Sequence, residues 1–190
     1  MEIEHTAIPG VEIIHPRVFG DSRGYFFEAW NSRDFAQAVR PVDFCQDNES
    51  RSCFGVVRGL HFQKGEHSQS KLVRVLEGRV LDVVVDIRRG SPTFGMHVAV
   101  ELSGENHLQF FIPRGFAHGF SVLSETAVFQ YKCDRFYAPG AEAGIAWDDP
   151  SLGIDWKLPS DKVILSEKDS CNPLLKDCSF LFDYNQDLYK

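Results

Sequence analysis

Apolar and polar positions alternate in short runs through the middle of the chain, and few of these runs carry the spacing of an amphipathic helix. Lys71–Leu76 and Val80–Ile87 are rich in Val and Leu, with Glu77-Gly78 between them as a turn. Phe110–Ile112, Gly119–Leu123 and Ala127–Lys132 continue the pattern, and Ser124-Glu125 marks the next turn. Short strands in succession, with little helix between them, predict an antiparallel sandwich or barrel rather than alternating β-α units. The early helix predicted runs from Ser32 to Val39, with Asn31 as its N-cap and Asp34 in its first turn. From Pro139 onward the pattern is less regular, and a short helix or two is expected there.

Hairpin closure at the two turns would set the register. A two-residue loop at Glu77-Gly78 pairs Leu76 with Arg79 and Val73 with Asp82, which makes Lys71 and Asp82 diagonal neighbours on one face. The same construction at Ser124-Glu125 puts His118 opposite Tyr131. A slip of one residue would carry either set to the other face. Polar side chains at inward strand positions are costly unless paired. These residues therefore either face solvent or line a ligand site at a barrel mouth. For His118 and Tyr131, the neighbouring Phe116, Phe120 and Phe129 favour a buried strand pair.

Length and composition narrow the class. A chain of 190 residues suits one domain, and 16 Phe supply bulky material for its core. A formal net charge of −7 disfavours a general nucleic-acid binder, which needs a basic surface against phosphates. No apolar run approaches the roughly 18 to 20 residues of a membrane helix. Met1–His5 is acidic and offers no apolar leader segment. The five cysteines, Cys45, Cys53, Cys133, Cys171 and Cys178, form an odd set without CxxC spacing, so reduced thiols are expected. The chain is expected to be cytoplasmic, with no membrane or nucleic-acid partner.

Candidate chemistry centres on His61, in Arg58-Gly59-Leu60-His61-Phe62-Gln63. On spacing alone it suits a hydrogen-bonded core histidine somewhat better than a general base, although imidazole titrates nearest neutrality. Gly59 inside a strand-like run hints at a bulge or a close ligand approach. Arg23, Arg58 and Lys71 are cations of the kind that clamp a diphosphate. A metal bound through an HxH pair is not expected, because Gln63 stands where the second histidine would be. His118, closing Pro113-Arg114-Gly115-Phe116-Ala117-His118, leaves too few ligands for a tight site.

Taken together, several segments resemble the dTDP-4-dehydrorhamnose 3,5-epimerase family. They include Val18–Gly24, Gln46-Asp47-Asn48, Val57–Gln63, Lys71–Arg74, Asp86–Arg88, Ser91–Gly95, Ile112–Phe120 and Leu165–Asp169, in order and at the right spacing. The match extends to about Leu175, so a single domain over 1–178 is expected, with 179–190 as a C-terminal tail. The resemblance implies a mainly β, cupin-like jelly-roll barrel with a few short helices, acting as a homodimer on a nucleotide sugar. It implies His61 as base, Asp169 as its orienting partner, Tyr131 as proton donor and Lys71 near the keto oxygen. Asp82 and His118 match further pocket positions. Arg23, Glu28, Gln46, Asp47, Asn48, Arg58, Glu142 and Lys168 fall at nucleotide- and sugar-contacting positions, and Tyr137 lies beside the nucleobase site. Cys133 and the longer tail depart from the pattern.

The implied chemistry suits these groups. Hydrogens on carbons 3 and 5 of a 4-keto-6-deoxyhexose flank a ketone, so their removal gives an enolate, and reprotonation from the opposite face inverts the centre. No metal, redox cofactor or GxGxxG motif is required. A single-site epimerase would use the same His and Tyr. A nucleotide-sugar ketoisomerase, a non-catalytic sugar-binding cupin and a metal-dependent oxygenase are the other readings of such a barrel.

Overall fold

The computed structural model describes residues 1–190. Strands β1 (Glu2–His5) and β2 (Glu12–His15) open the chain, followed by a hairpin of β3 (Phe19–Asp21) and β4 (Gly24–Phe26) and by helix α1 (Ser32–Ala38). The body continues through β5 (Gln46–Cys53), β6 (Val57–Gln63), β7 (Lys71–Glu77), β8 (Arg79–Asp86), β9 (Arg88–Arg89) and β10 (His97–Ser103). It is completed by β11 (Gln109–Ile112), β12 (Phe116–Val122), β13 (Thr126–Cys133), β14 (Glu142–Gly144), α2 (Glu167–Ser170) and β15 (Phe182–Asp183). One sheet has the order β1-β2-β11-β7-β13-β5 and the other β10-β8-β12-β6-β14. The two face each other without a continuous ladder between them, so the cupin-like jelly roll is an open sandwich rather than a closed barrel.

Strand period sorts the side chains into layers. Val73, Val75, Phe110, Ile112 and Phe129 of the first sheet meet Val80, Val84, Phe116, Phe120 and Val122 of the second in the interior. Phe120 and Phe129 stack at 4.3 Å between centroids, a contact worth about 1 kcal/mol beyond its area. The outward residues of the second sheet, Leu60, Phe62, Leu81, Val83 and Val85, lie under Ile145, Trp156, Leu175 and Phe182 from the C-terminal third. Burial on both faces explains why Val80–Asp86 is almost continuously apolar. Phe35 of α1 covers Leu72 and Phe111 on the outside of the first sheet. Helix α1 forms where expected, and the Asn31 side chain accepts hydrogen bonds from the Arg33 and Asp34 amides.

The two expected hairpins are not made. β7 and β8 lie in different sheets, as do β12 and β13, so each turn is a corner that carries the chain across the sandwich. Lys71 pairs with Ile112 and Cys133, and Asp82 with Val100 and Phe120. His118 pairs with Val84 and His61, and Tyr131 with Val73 and Asn48. The two corners bind each other. The Leu123 amide donates to the Arg79 carbonyl at 2.9 Å, and the Arg79 amide to Ser124 Oγ at 2.8 Å. Gly78 is required there: its φ is +76°, and a Cβ would sit 2.0 Å from the Thr126 carbonyl oxygen.

Residues 179–190 pack on the same body. β15 adds in parallel to β9, and the Phe182 ring is buried against Phe62. No helix is long and apolar enough to cross a membrane.

Candidate active site

Strand β6 carries the central residues, and its course depends on one glycine. Arg58 and His61 are an odd number of residues apart and would point to opposite faces of a regular strand. Here Arg58 aligns with Phe120 and His61 with His118, both interior positions of β12, because the ladder shifts register between them. Gly59, at φ +133°, makes the shift: a Cβ would lie 2.5 Å from Gly119 Cα and 2.9 Å from the His118 carbonyl oxygen. The bulge therefore turns both side chains toward the sandwich interior.

His61 hydrogen-bonds through Nε2 to Asp169 Oδ1 of α2. Its side chain is 29% exposed and that of Asp169 only 5%. Burial pushes the Asp169 carboxyl up, but hydrogen bonds from His61 and Ser166 and the Lys168 charge outweigh it and hold the group below the usual carboxylate range. In the neutral imidazole with its proton on Nε2, an ionised Asp169 accepts that proton and the other ring nitrogen keeps its lone pair. Beside it, His118 Nε2 lies 2.9 Å from both carboxylate oxygens of fully buried Asp82. Burial disfavours charge on both members, raising Asp82 and lowering His118.

The facing sheet contributes Lys71 and Tyr131. Burial depresses Lys71, against the opposing fields of Cys133, Asp82 and Glu142. Lys71 and Asp82 are thus electrostatic neighbours, as expected, although they meet across the sandwich and not within a hairpin. Lys71 Nζ lies 5.8 Å from the centroid of the Tyr131 ring. Burial raises the Tyr131 phenol and keeps it protonated through the neutral range. Gln46 and Asn48 share its face of β5, with Gln46 Nε2 donating to Asn48 Oδ1 at 2.9 Å. Ser52 Oγ accepts from both Nε and Nη2 of Arg58 at 3.2 Å.

At the rim, the Tyr137 hydroxyl donates to Glu142 Oε2 at 2.6 Å, and Glu142 also pairs with Lys168. Gln63, at the position of the missing histidine, is spent on backbone groups, donating to the His67 and Phe136 carbonyls and accepting from the Ala138 amide. Three of the expected residues stand apart from this cluster. Asp47 lies on the other face of β5, where Lys132 Nζ binds it at 2.9 Å, because its neighbours Gln46 and Asn48 take the inward positions. Arg23, in the exposed turn between β3 and β4, pairs with Asp21, and Glu28 accepts from Asn31. Ser52 and Cys133, neither of them expected at the site, prove to be direct neighbours of Arg58 and Lys71. Their inward register is the only sign of it, and that becomes visible once the strand pairing is known.

Comparison with known proteins supplies the family. A family model described as dTDP-4-dehydrorhamnose 3,5-epimerase matches residues 5–177. The dTDP-4-dehydrorhamnose 3,5-epimerase of Salmonella typhimurium is 53% identical over 92% of this chain and 96% of its own. The crystal structure of the enzyme of that name from Elizabethkingia anophelis is also 53% identical, with a TM-score of 0.90, over 95% of this chain and 99% of that one. A dTDP-6-deoxy-D-glucose-3,5-epimerase from Legionella pneumophila, solved in complex with dTDP-4-keto-L-rhamnose, is 49% identical with a TM-score of 0.93, over 97% and 99%. In sequence and in fold, the chain belongs to the dTDP-4-dehydrorhamnose 3,5-epimerase family of isomerases.

Proposed function

We propose that the chain inverts carbons 3 and 5 of dTDP-4-dehydro-6-deoxy-D-glucose to give dTDP-4-dehydro-L-rhamnose. The observation that carries the reading is His61, on one sheet and paired with Asp169 of α2, facing Tyr131 and Lys71 on the other sheet. His61 takes the proton alpha to the ketone on its free ring nitrogen, and Asp169 stabilises the imidazolium that forms. The Lys71 ammonium stabilises the enolate oxygen in a site with little water to compete. Tyr131 returns a proton from across the ring, inverting the carbon; before the second centre reacts, His61 releases its proton to solvent and Tyr131 takes one up.

Gln46, Asn48, Arg58, Tyr137, Glu142 and Lys168 form the mouth that would hold the nucleotide and sugar, over a floor of Asp82 and His118. The complex of the Legionella relative with a dTDP-keto sugar supports this class of substrate. The reading includes a catalytic domain over 1–178, a cytoplasmic location and a homodimer. Burial of Phe19, Tyr25 and Phe26, which are 51%, 61% and 70% exposed in the single chain, is a reason for dimerisation.

The test is conversion of dTDP-4-keto-6-deoxyglucose in deuterated water, followed by NMR. Deuterium at both carbons with the L-rhamno configuration is expected. Label and inversion at one carbon would make the chain a single-site epimerase, and an unlabelled substrate would remove the epimerase reading altogether. Tyr131→Phe should lose inversion more than it loses exchange.

A further inference from the structure

We propose that Tyr189, in the C-terminal tail, is a positioning residue for Lys71, acting through a buried clamp on the strand ends beneath the site. The inference rests on the epimerase reading, in which Lys71 stabilises the enolate.

Lys71 sits where order is hardest to keep. It is the first residue of β7 and the last rung of both of that strand's ladders, paired with Ile112 at the end of β11 and Cys133 at the end of β13. Terminal rungs open more readily than central ones, because nothing beyond them holds the backbone. In this chain something does. Ser70, Arg114 and Asp134 lie just outside the last rungs of the same strands, all three are buried, and the Asp134 carboxylate joins them. Its Oδ1 accepts from the Ser70 amide at 2.6 Å, and its Oδ2 from Arg114 Nε and Nη2 at 3.0 and 2.8 Å.

The tail completes this clamp. The Tyr189 hydroxyl lies 2.7 Å from Ser70 Oγ and accepts from the Arg114 amide at 3.1 Å. Arg114 Nη1 donates to the Leu188 carbonyl at 2.8 Å. Two guanidinium groups lie against the Tyr189 ring, Arg40 at 3.4 Å and Arg114 at 4.8 Å from its centroid. Without the tail, the Ser70 hydroxyl, the Arg114 amide and one Arg114 guanidinium nitrogen would lose their partners in a buried place, which is costly. A segment outside the family-matched residues thus supports the strand end that carries a proposed catalytic group.

Removing residues 180–190 would also uncover Phe62 and risks misfolding. The deciding variants are therefore Tyr189→Phe, which keeps the ring against its two cations, and Ser70→Ala, which removes the hydroxyl that faces it. Each should lower kcat about fivefold, the worth of one ordinary hydrogen bond, with KM for the dTDP-keto sugar within about twofold of the parent. The double variant should be no slower than Tyr189→Phe alone, because the Ser70 substitution deletes a link that this variant has already lost. A kcat for Tyr189→Phe within twofold of the parent would overturn the proposal, as would a rise in KM matching the fall in kcat, or losses that multiply in the double variant. An inactive parent would instead defeat the epimerase reading, so the two failures are distinguishable.

Discussion

Two histidines lie side by side in the second sheet, each paired with an aspartate, and the two pairs differ in almost everything except chemistry. His61 and His118 are paired residues on neighbouring strands, facing the same interior. His61 is partly open, and its aspartate arrives from α2, a distant part of the chain. His118 is 7% exposed, and its aspartate belongs to the adjoining strand and is sealed completely. In the open pair, hydrogen bonds hold Asp169 ionised against its burial. In the closed pair, burial dominates and disfavours charge on both partners. The lesson is that a His–Asp contact does not define a base. A base must also exchange its proton with the surroundings, and of the two histidines only His61 is open enough for that, at 29% exposure against 7%.

The sharpest way to break this comparison is to remove each imidazole in turn. His61→Asn should lower solvent-deuterium exchange at both sugar carbons by about 1,000-fold, within the range for loss of a general base. His118→Asn should retain measurable exchange. NMR of the recovered sugar measures both, and full exchange in the His61 variant would transfer the role of base elsewhere. Stability should rank the pairs the other way. Asp82→Ala strands His118 in a sealed interior and should cost about 3 kcal/mol or more in a urea titration. Asp169→Ala leaves His61 with access to water and should cost about 1 kcal/mol. Equal costs would mean that burial does not separate the two pairs.

How much of this was legible in the sequence depends on the range of the interaction that decides each feature. The α1 cap at Asn31 and the strands were legible because neighbouring residues set them. The pairing of those strands was not. A two-residue turn such as Glu77-Gly78 suits a hairpin or a corner between sheets, and the choice rests on partners far along the chain: the Gly78 backbone packs on Thr126. A hairpin at Ser124-Glu125 sets His118 and Tyr131 opposite each other as rungs, whereas they belong to facing sheets. The outward placement of Asp47 follows from the period of two, since Gln46 and Asn48 on either side of it point inward. The juxtaposition of His61 and Asp169 had no local signal, since 108 residues separate them, and only the order of the motifs pointed to it. Tyr189 carried no signal at all, because its partners become neighbours only where three strands end.

The smallest effect should be in the pH dependence of stability, where the two aspartates act with opposite signs. Asp169 titrates below its ordinary value in the folded chain, so its ionised form favours folding. That contribution is fully present above the unfolded pKa near 3.8 and is lost as pH falls through the lower folded value. Asp82 titrates above its ordinary value. Just above the unfolded pKa, the native state keeps a proton that the unfolded chain has released, so this group lowers stability as pH rises through that window. Melting temperatures between about pH 6 and pH 2 should therefore fall less steeply toward acid in Asp169→Asn than in the parent, and more steeply in Asp82→Asn. The loss of Asp82 also leaves His118 without the carboxylate that favours its protonated form, which drives the second slope in the same direction. Slopes that shift in the same sense in both variants would show that the two pairs share one electrostatic environment, and the distinction between an open and a closed pair would fail.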